Sequence, residues 1–132
     1  IEMRTEVVKR YLEYELDPEA FLEKQRPEQE KLRDKISEAQ KLLRNVTYSD
    51  GILRLAAEIS VSLGVDGHRA DISMIKTACT NAAYEGRDHV SGEDMKLAAE
   101  LVLPHRMRRK PFEEQRMDIN AVFEMIESRE GI

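Results

Sequence analysis

The stretch LGVDGHRAD, residues 63–71, decides how this chain folds. Gly64, Asp66 and Gly67 interrupt one amphipathic helix, and a second helix is predicted to begin within the next few residues. Arg69 is therefore predicted to lie on or just before the first turn of the second helix. The first backbone N–H groups of a helix lack intrahelical partners and carry the positive end of its dipole, so an arginine there is placed to meet an anion. From spacing alone, an ordinary solvated side chain is the simpler interpretation.

Helices are predicted on both sides of this stretch. The preceding helix is capped by Ser49 and ends at Gly64. Its apolar residues follow the i, i+3, i+4 rule and are Ile52, Leu55, Ala56, Ile59 and Leu63. The following helix, which begins near Arg69 and ends at Gly86, is predicted to bury Ile72, Ile75, Cys79 and Ala82. We interpret Cys79 as a small core residue, because no histidine lies at a helical spacing that would activate it.

The N-terminal part of the chain predicts three more helical segments. A first helix runs to about Tyr14, and a second starts at Asp17-Pro18, where the aspartate caps and the proline takes the first helical position. Pro27 is predicted to interrupt it. A long helix then follows with a narrow apolar seam formed by Leu32, Ile36, Ala39, Leu43 and Val46.

The C-terminal part predicts two further helices. Ser91 and Asp94 form a capping box at the start of one, which continues to a kink or break at Pro104. After Pro111, a last amphipathic helix carries Ile119, Val122, Phe123 and Ile126, and it could dock on this domain or on a neighbour. These segments predict an all-α fold, in which about five to six helices form a bundle.

Composition supports this fold class and limits the function. The 132 residues fit one domain, 36% of them are charged and there is no tryptophan. A net charge of -5 argues against a dedicated nucleic-acid binder. One cysteine excludes an internal disulfide, and without a signal peptide or an apolar run for a bilayer we predict a cytoplasmic protein with no membrane contact. The chain starts without an initiator methionine and is expected to be part of something longer.

The sequence lacks the common motifs for nucleotide binding and metal-dependent catalysis. The sequence contains no G-x-x-x-x-G-K-[ST] loop, no dinucleotide glycine fingerprint and no H-E-x-x-H helix, so the chain by itself should not bind a nucleotide tightly. Asp66, His68 and Asp71 match no usual ligand spacing, and no metal site is predicted. The basic run at residues 105–110 either complements a helix dipole or contacts an anion or partner; its candidate interface residues are Arg106, Arg108, Arg109 and Lys110.

Three motifs in order resemble the C-terminal helical lid of magnesium-chelatase ATPase subunits, which are AAA+ proteins. They are VDGHRADI at 65–72, AAYEGR at 82–87 and LPHRMRRKP at 103–111. The segments RTEVVKR at 4–10 and DPEAF at 17–21 resemble the run leading into that lid, so the resemblance covers the chain to about residue 114. It implies a lid domain with connecting helices at residues 1–114 and an extension helix at 115–132.

The resemblance implies a role for two residues. The family's sensor-2 motif G-x-R falls on Gly67 and Arg69, and its arginine contacts the γ-phosphate of ATP held mainly by a P-loop domain. Arg69 is thus the implied catalytic residue, and Gly67 and Arg69 are the implied phosphate-binding residues. The long helix at 27–46 is a plausible counterpart of the helix that precedes sensor 2 in this AAA+ branch.

The implied parent is an ATP-hydrolysing subunit of a magnesium or cobalt chelatase that drives metal insertion into a tetrapyrrole. Its cofactors would be ATP with Mg²⁺. Its partners would be the P-loop domain of the same chain or of a neighbouring subunit, and other chelatase subunits in a ring. Without a P-loop, this chain alone is expected to be inactive.

Two alternatives stay open at this point. The two helices joined at Gly64 also suit a helix-turn-helix DNA-binding domain. The residues that its second helix would offer to bases are His68, Arg69, Ser73, Lys76 and Thr77. Asp71 and the acidic balance oppose it. The other alternative is a lid from a different AAA+ branch.

Overall fold

A computed structural model describes residues 1–107 and 118–129. Within these ranges the chain forms six α-helices and a short 3₁₀ helix, and no strand beyond an isolated bridge between Thr47 and His89. The helices are α1 (Glu2–Leu16), α2 (Pro18–Leu43), α3 (Asp50–Ser62), α4 (Arg69–Tyr84), α5 (Gly92–Val102), the 3₁₀ helix (Leu103–His105) and α6 (Ile119–Glu127). The predicted all-α class is confirmed. No helix of the described ranges is both long and apolar enough to cross a membrane.

The structure divides into two compact units, one ending at Ser37 and the other beginning at Glu38. The first unit contains α1 and most of α2. The rings of Tyr14 and Phe21 meet edge to face with centroids 5.8 Å apart, and Lys24 Nζ lies 2.7 Å from Glu13 Oε1. No residue of α1 is buried.

The predicted interruption of α2 at Pro27 is wrong, because α2 continues through this residue as one helix. A proline in a helix interior removes one backbone hydrogen bond and typically costs about 3 kcal/mol. No residue of α2 is buried, so water can hydrate the carbonyl group that loses its donor. The predicted cap is confirmed, since Asp17 Oδ1 accepts from Ala20 N at 3.1 Å. The helix ends at Leu43, three residues before the predicted Val46.

The second unit has a core built from α3, α4, α5 and α6. Ser49 caps α3 as predicted, with its Oγ accepting from Ile52 N at 3.2 Å. The buried core residues are Ile52, Leu55, Ala56, Ile59, Ala70, Met74, Ala78, Cys79, Ala82, Val90, Met95, Ala98, Ala99, Leu103, Val122 and Ile126.

The predicted buried face of α4 is partly wrong, because Ile72 is 53% exposed. The buried series runs through Ala70, Met74, Ala78 and Ala82, at steps of four residues. Ile72 lies two residues from Ala70, about 200° around the helix, and so faces outward. Small residues on the buried face allow α4 to approach its neighbours closely.

The last helix docks on this unit, which answers a question the sequence left open. Val122 and Ile126 of α6 are buried in the core, and α6 packs against α5 and α3. Lys96 Nζ on α5 donates to Glu93 at 2.9 Å and to Glu127 at 2.7 Å, and it lies 5.6 Å from the centre of the Phe123 ring. The predicted division between residues 114 and 115 lies outside the described residues.

Candidate functional site

The turn between α3 and α4 brings Arg69 to the surface at the start of a helix. α3 ends in a Schellman motif, in which Val65 N donates to Ser60 O at 2.9 Å and Gly64 N to Val61 O at 3.1 Å. The motif needs a left-handed residue, and Gly64 supplies it with φ 64°. Gly67 is left-handed as well, with φ 77°. These two glycines reverse the chain within the five residues between Leu63 and Arg69.

Arg69 is the first residue of α4 and is exposed. His68, at the N-cap, makes no side-chain cap hydrogen bond. Within residues 1–107 and 118–129, no acidic side chain is paired with Arg69. Its guanidinium can therefore offer its fork of donors to an anion without breaking an ion pair among those residues.

Asp71 is the one acidic group of the first turn of α4. Its side chain is 23% exposed, with Oδ2 3.5 Å from His68 Nδ1 and a buried Oδ1 that has no hydrogen-bond partner. A carboxylate in this turn is favourable with the helix dipole, but it reduces the net positive charge that an anion meets. The described residues contain no group of three histidine, cysteine or acidic side chains arranged to hold a metal, and this includes Asp66, His68 and Asp71.

The predicted basic interface is only partly described. Arg106 follows the 3₁₀ helix and is exposed. Arg108, Arg109 and Lys110 lie outside the described residues. Their role as an interface stays a prediction.

A buried ionic network joins α4, α5 and the loop between them. The Asp94 side chain is 0% exposed, and the Arg87 fork grips it with Nη1 2.6 Å from Oδ2 and Nη2 2.6 Å from Oδ1. Asn81 Nδ2 on α4 donates to Oδ1 at 2.7 Å, and Ser91 N and Oγ donate to Oδ2 at 2.8 and 2.9 Å. The predicted capping box of Ser91 and Asp94 is thus confirmed.

Sequence reasoning missed Arg87 and Asn81 as members of this network. α4 ends in a second Schellman motif, in which Gly86 N donates to Ala83 O at 3.0 Å and Arg87 N donates to Ala82 O at 2.8 Å. This motif turns Arg87 toward the start of α5. The sequence does carry a signal for this pairing: Arg87 directly follows the glycine that ends α4, and it precedes the capping-box acid Asp94 by seven residues.

The network holds Asp94 in its ionised form. Burial is the largest single influence on this carboxyl and would raise its pKa, but the hydrogen bonds from Arg87, Ser91 and Asn81 lower the pKa from 3.8 to about 2. The same pairing with Asp94 raises the pKa of Arg87. Burial, followed by the charge of Asp94, raises the pKa of the Cys79 thiol, which agrees with a core role for that residue.

The lowered pKa of Asp94 predicts a pH-dependent stability. A carboxyl group whose folded pKa lies below its unfolded pKa stabilises the fold above the unfolded value, and the contribution is lost as pH falls through the folded value. With a shift from 3.8 to about 2, Asp94 contributes about 2 kcal/mol that disappears between about pH 4 and pH 2. We expect the difference in unfolding free energy between the unsubstituted chain and Asp94→Asn to shrink by that amount over this range in denaturant titrations. A difference that stays constant with pH would contradict the assignment.

The fold and the turn at Arg69 define a class of helical domain, and comparison with known proteins identifies it. The AAA lid domain family matches residues 53–126, a range that holds most of α3, the turn, α4, α5 and nearly all of α6. The chain therefore belongs to the AAA lid domain family. This match favours the lid interpretation of the α3–α4 pair over the helix-turn-helix interpretation.

Curated relatives of the chain include proteins named as magnesium-chelatase subunits or as a homolog of one. The chain is 46% identical over 123 residues to a magnesium-chelatase subunit ChlI homolog of Methanocaldococcus jannaschii, covering 93% of this chain and 34% of the relative. It is 43% identical over 110 residues to the magnesium-chelatase 38 kDa subunit of Chlorobaculum tepidum, covering 83% and 28%. It is 40% identical over 111 residues to magnesium-chelatase subunit ChlI of Anabaena variabilis, covering 84% and 30%. The chain spans about a third of the length of these curated relatives.

Proposed function

We propose that this chain is the lid of an ATP-hydrolysing chelatase subunit, here called the parent ATPase, and that Arg69 contacts the γ-phosphate of ATP. The nucleotide would be held mainly by a P-loop domain of the same chain or of a neighbouring subunit in a ring. Gly67 would give the turn the backbone conformation that lets Arg69 begin α4. The cytoplasmic location expected from the sequence remains a prediction.

One observation carries this proposal. Arg69 stands exposed as the first residue of α4, within the residues matched by the AAA lid family. A phosphate placed there would meet a full positive charge at the positive end of the helix dipole. Charge-assisted hydrogen bonds of this kind are roughly twice as strong as neutral ones.

The residues present fit the end of a phosphate chain rather than a whole nucleotide. The sequence has no P-loop, and no described group of side chains is arranged to hold Mg²⁺. ATP and Mg²⁺ would therefore be bound chiefly by the rest of the parent ATPase. The lid would add a contact between the terminal phosphate and Arg69 at the start of α4.

The relatives indicate what this ATP cycle would drive. The three relatives described above are named as magnesium-chelatase subunits or as a homolog of one, so we propose that the parent ATPase couples ATP hydrolysis to insertion of a metal, magnesium or cobalt, into a tetrapyrrole. The metal and the tetrapyrrole are substrates and would not be held by this lid.

Nucleotide affinity of the parent ATPase tests the Arg69 contact. Arg69→Ala is expected to weaken ATP binding by about 10- to 100-fold, because it removes a charged hydrogen bond, and to leave ADP binding nearly unchanged. Titration calorimetry with ADP and a non-hydrolysable ATP analogue measures both affinities. An equal loss for the two nucleotides, or no loss for either, would contradict a γ-phosphate contact.

A further inference from the structure

The fully buried residues of α4 are small or flexible, and Ile75 is partly buried beside them. The buried residues of α4 are Ala70, Met74, Ala78, Cys79, Ala82 and Ala83, and α5 meets it with Met95, Ala98 and Ala99 among its buried residues. Alanine forms shallow ridges, and methionine adapts its shape to different neighbours. Such a face permits close approach and, apart from Ile75, offers few branched side chains that would resist sliding of α4 along its own axis.

The buried network around Asp94 resists sliding of α4 along its axis. Asn81 Nδ2 on α4 reaches Asp94 Oδ1 on α5 at 2.7 Å, while Arg87 and Ser91 occupy the remaining acceptor positions of the same carboxylate. Hydrogen bonds to a fully buried carboxylate are directional and costly to leave unmade. A slip of α4 by one turn, about 5.4 Å, would separate Asn81 from Asp94.

The position of α4 along its axis also sets the position of Arg69. Arg69 lies twelve residues before Asn81, about 18 Å along the helix, with no proline or glycine between them. A displacement at Asn81 therefore reaches Arg69 almost undiminished. We propose that Asn81, Asp94 and Arg87 lock the axial register of α4 and so act as positioning residues for Arg69, an inference that rests on the proposed γ-phosphate contact.

A distance measurement between α4 and α5 tests, without any nucleotide, whether these residues fix the axial register of α4. Nitroxide labels on Lys76→Cys in α4 and Glu100→Cys in α5 occupy exposed positions, and buried Cys79 should remain unlabelled. The otherwise unsubstituted chain is expected to give one narrow distance distribution, and Asn81→Ala a broader one or a second population displaced by up to about 5 Å. Asn120→Ala, at an exposed position of α6, is the matched control and should leave the distribution narrow.

An unchanged distribution in Asn81→Ala would overturn the proposal. Arg87→Lys provides a second variant, because it keeps the charge but loses the fork on Asp94, and it should broaden the distribution as well. If both variants fold and both keep the narrow distribution, apolar packing alone sets the register.

Measurements of nucleotide affinity then test whether the register of α4 affects the contact made by Arg69. In the parent ATPase, Asn81→Ala is expected to reduce the preference for the ATP analogue over ADP by about 10- to 100-fold, since misplacement by about 1 Å is enough for such a loss. Ile126→Val, a truncation in the core far along the chain from α4, controls for lost stability and should keep the preference. If Arg69→Ala loses the preference for the ATP analogue over ADP but Asn81→Ala keeps it, the proposed control of the α4 register is overturned and the γ-phosphate contact is not. If Arg69→Ala keeps the preference, the proposed function itself is contradicted.

Discussion

Replacing Arg69 by alanine in the parent ATPase is expected to reduce ATP turnover by about 10³- to 10⁵-fold. Phosphoryl transfer spreads negative charge over the oxygens of the transferred group, and an arginine that reaches them stabilises the transition state more than the bound substrate. Arg69 is exposed at the start of α4 and contributes nothing to the core, so the substituted protein should fold and assemble normally. Steady-state phosphate release from the assembled protein measures the effect.

Two further variants make this result specific. Arg69→Lys keeps the charge but loses the two-oxygen grip, and its turnover should lie between those of the unsubstituted protein and Arg69→Ala. Arg54→Ala removes another exposed arginine, from α3, and should leave turnover close to normal. Normal turnover in an assembled Arg69→Ala protein would reject a catalytic role for Arg69.

Replacing Asp94 by alanine is expected to lower the free energy of unfolding of the chain by about 3–5 kcal/mol. The substitution leaves the Arg87 fork and the Asn81 amide without their buried acceptor, and it removes the capping box of α5. Small domains are stable by only about 5–15 kcal/mol, so this loss is a large part of the total. Denaturant titration followed by circular dichroism measures it.

Asp88 offers the matched comparison. Its carboxylate is exposed, and Oδ1 lies 3.0 Å from Nδ1 of the neighbouring His89, so Asp88→Ala should change stability little. Asp94→Asn should fall between the two aspartate-to-alanine variants, because it keeps the size of the side chain and loses the charge. Equal stabilities of the Asp94→Ala and Asp88→Ala chains would show that the buried network does not hold α4 and α5 together.

The sequence predicted the parts of the fold that depend on neighbouring residues. Ser49, Asp17 and the pair of Ser91 and Asp94 were identified as caps, and each makes its predicted hydrogen bond. The end of α3 at Gly64 was predicted as well. These caps can be predicted from sequence because each involves residues that lie within four positions of one another in the chain.

Features that depend on tertiary packing were not predictable in the same way. Ile72 was assigned to the core from its spacing, but the face of α4 that is buried depends on how closely alanines let α3 and α5 approach. Pro27 was expected to end a helix, but solvent exposure along α2 lets the helix continue. Arg87 was missed because its partners on α4 and α5 come together only after both helices pack.

For the candidate site, the sequence placed Arg69 at the start of a helix, and the structure has it there as an exposed side chain. Its contact with a nucleotide stays a prediction, as do the roles of Gly67 and of the basic residues Arg106, Arg108, Arg109 and Lys110. A contact with a group from another domain depends on atoms outside this chain. Neither helical periodicity nor packing within the lid can supply it.

A structure of the assembled parent ATPase with a non-hydrolysable ATP analogue tests the central claim most directly. The quantity to measure is the distance from the guanidinium nitrogens of Arg69 to the γ-phosphate oxygens. We expect a distance of about 2.7–2.9 Å, the length of a charge-assisted hydrogen bond. An Arg69 side chain that points into solvent or pairs with a carboxylate, while the γ-phosphate is bound without it, would contradict the account.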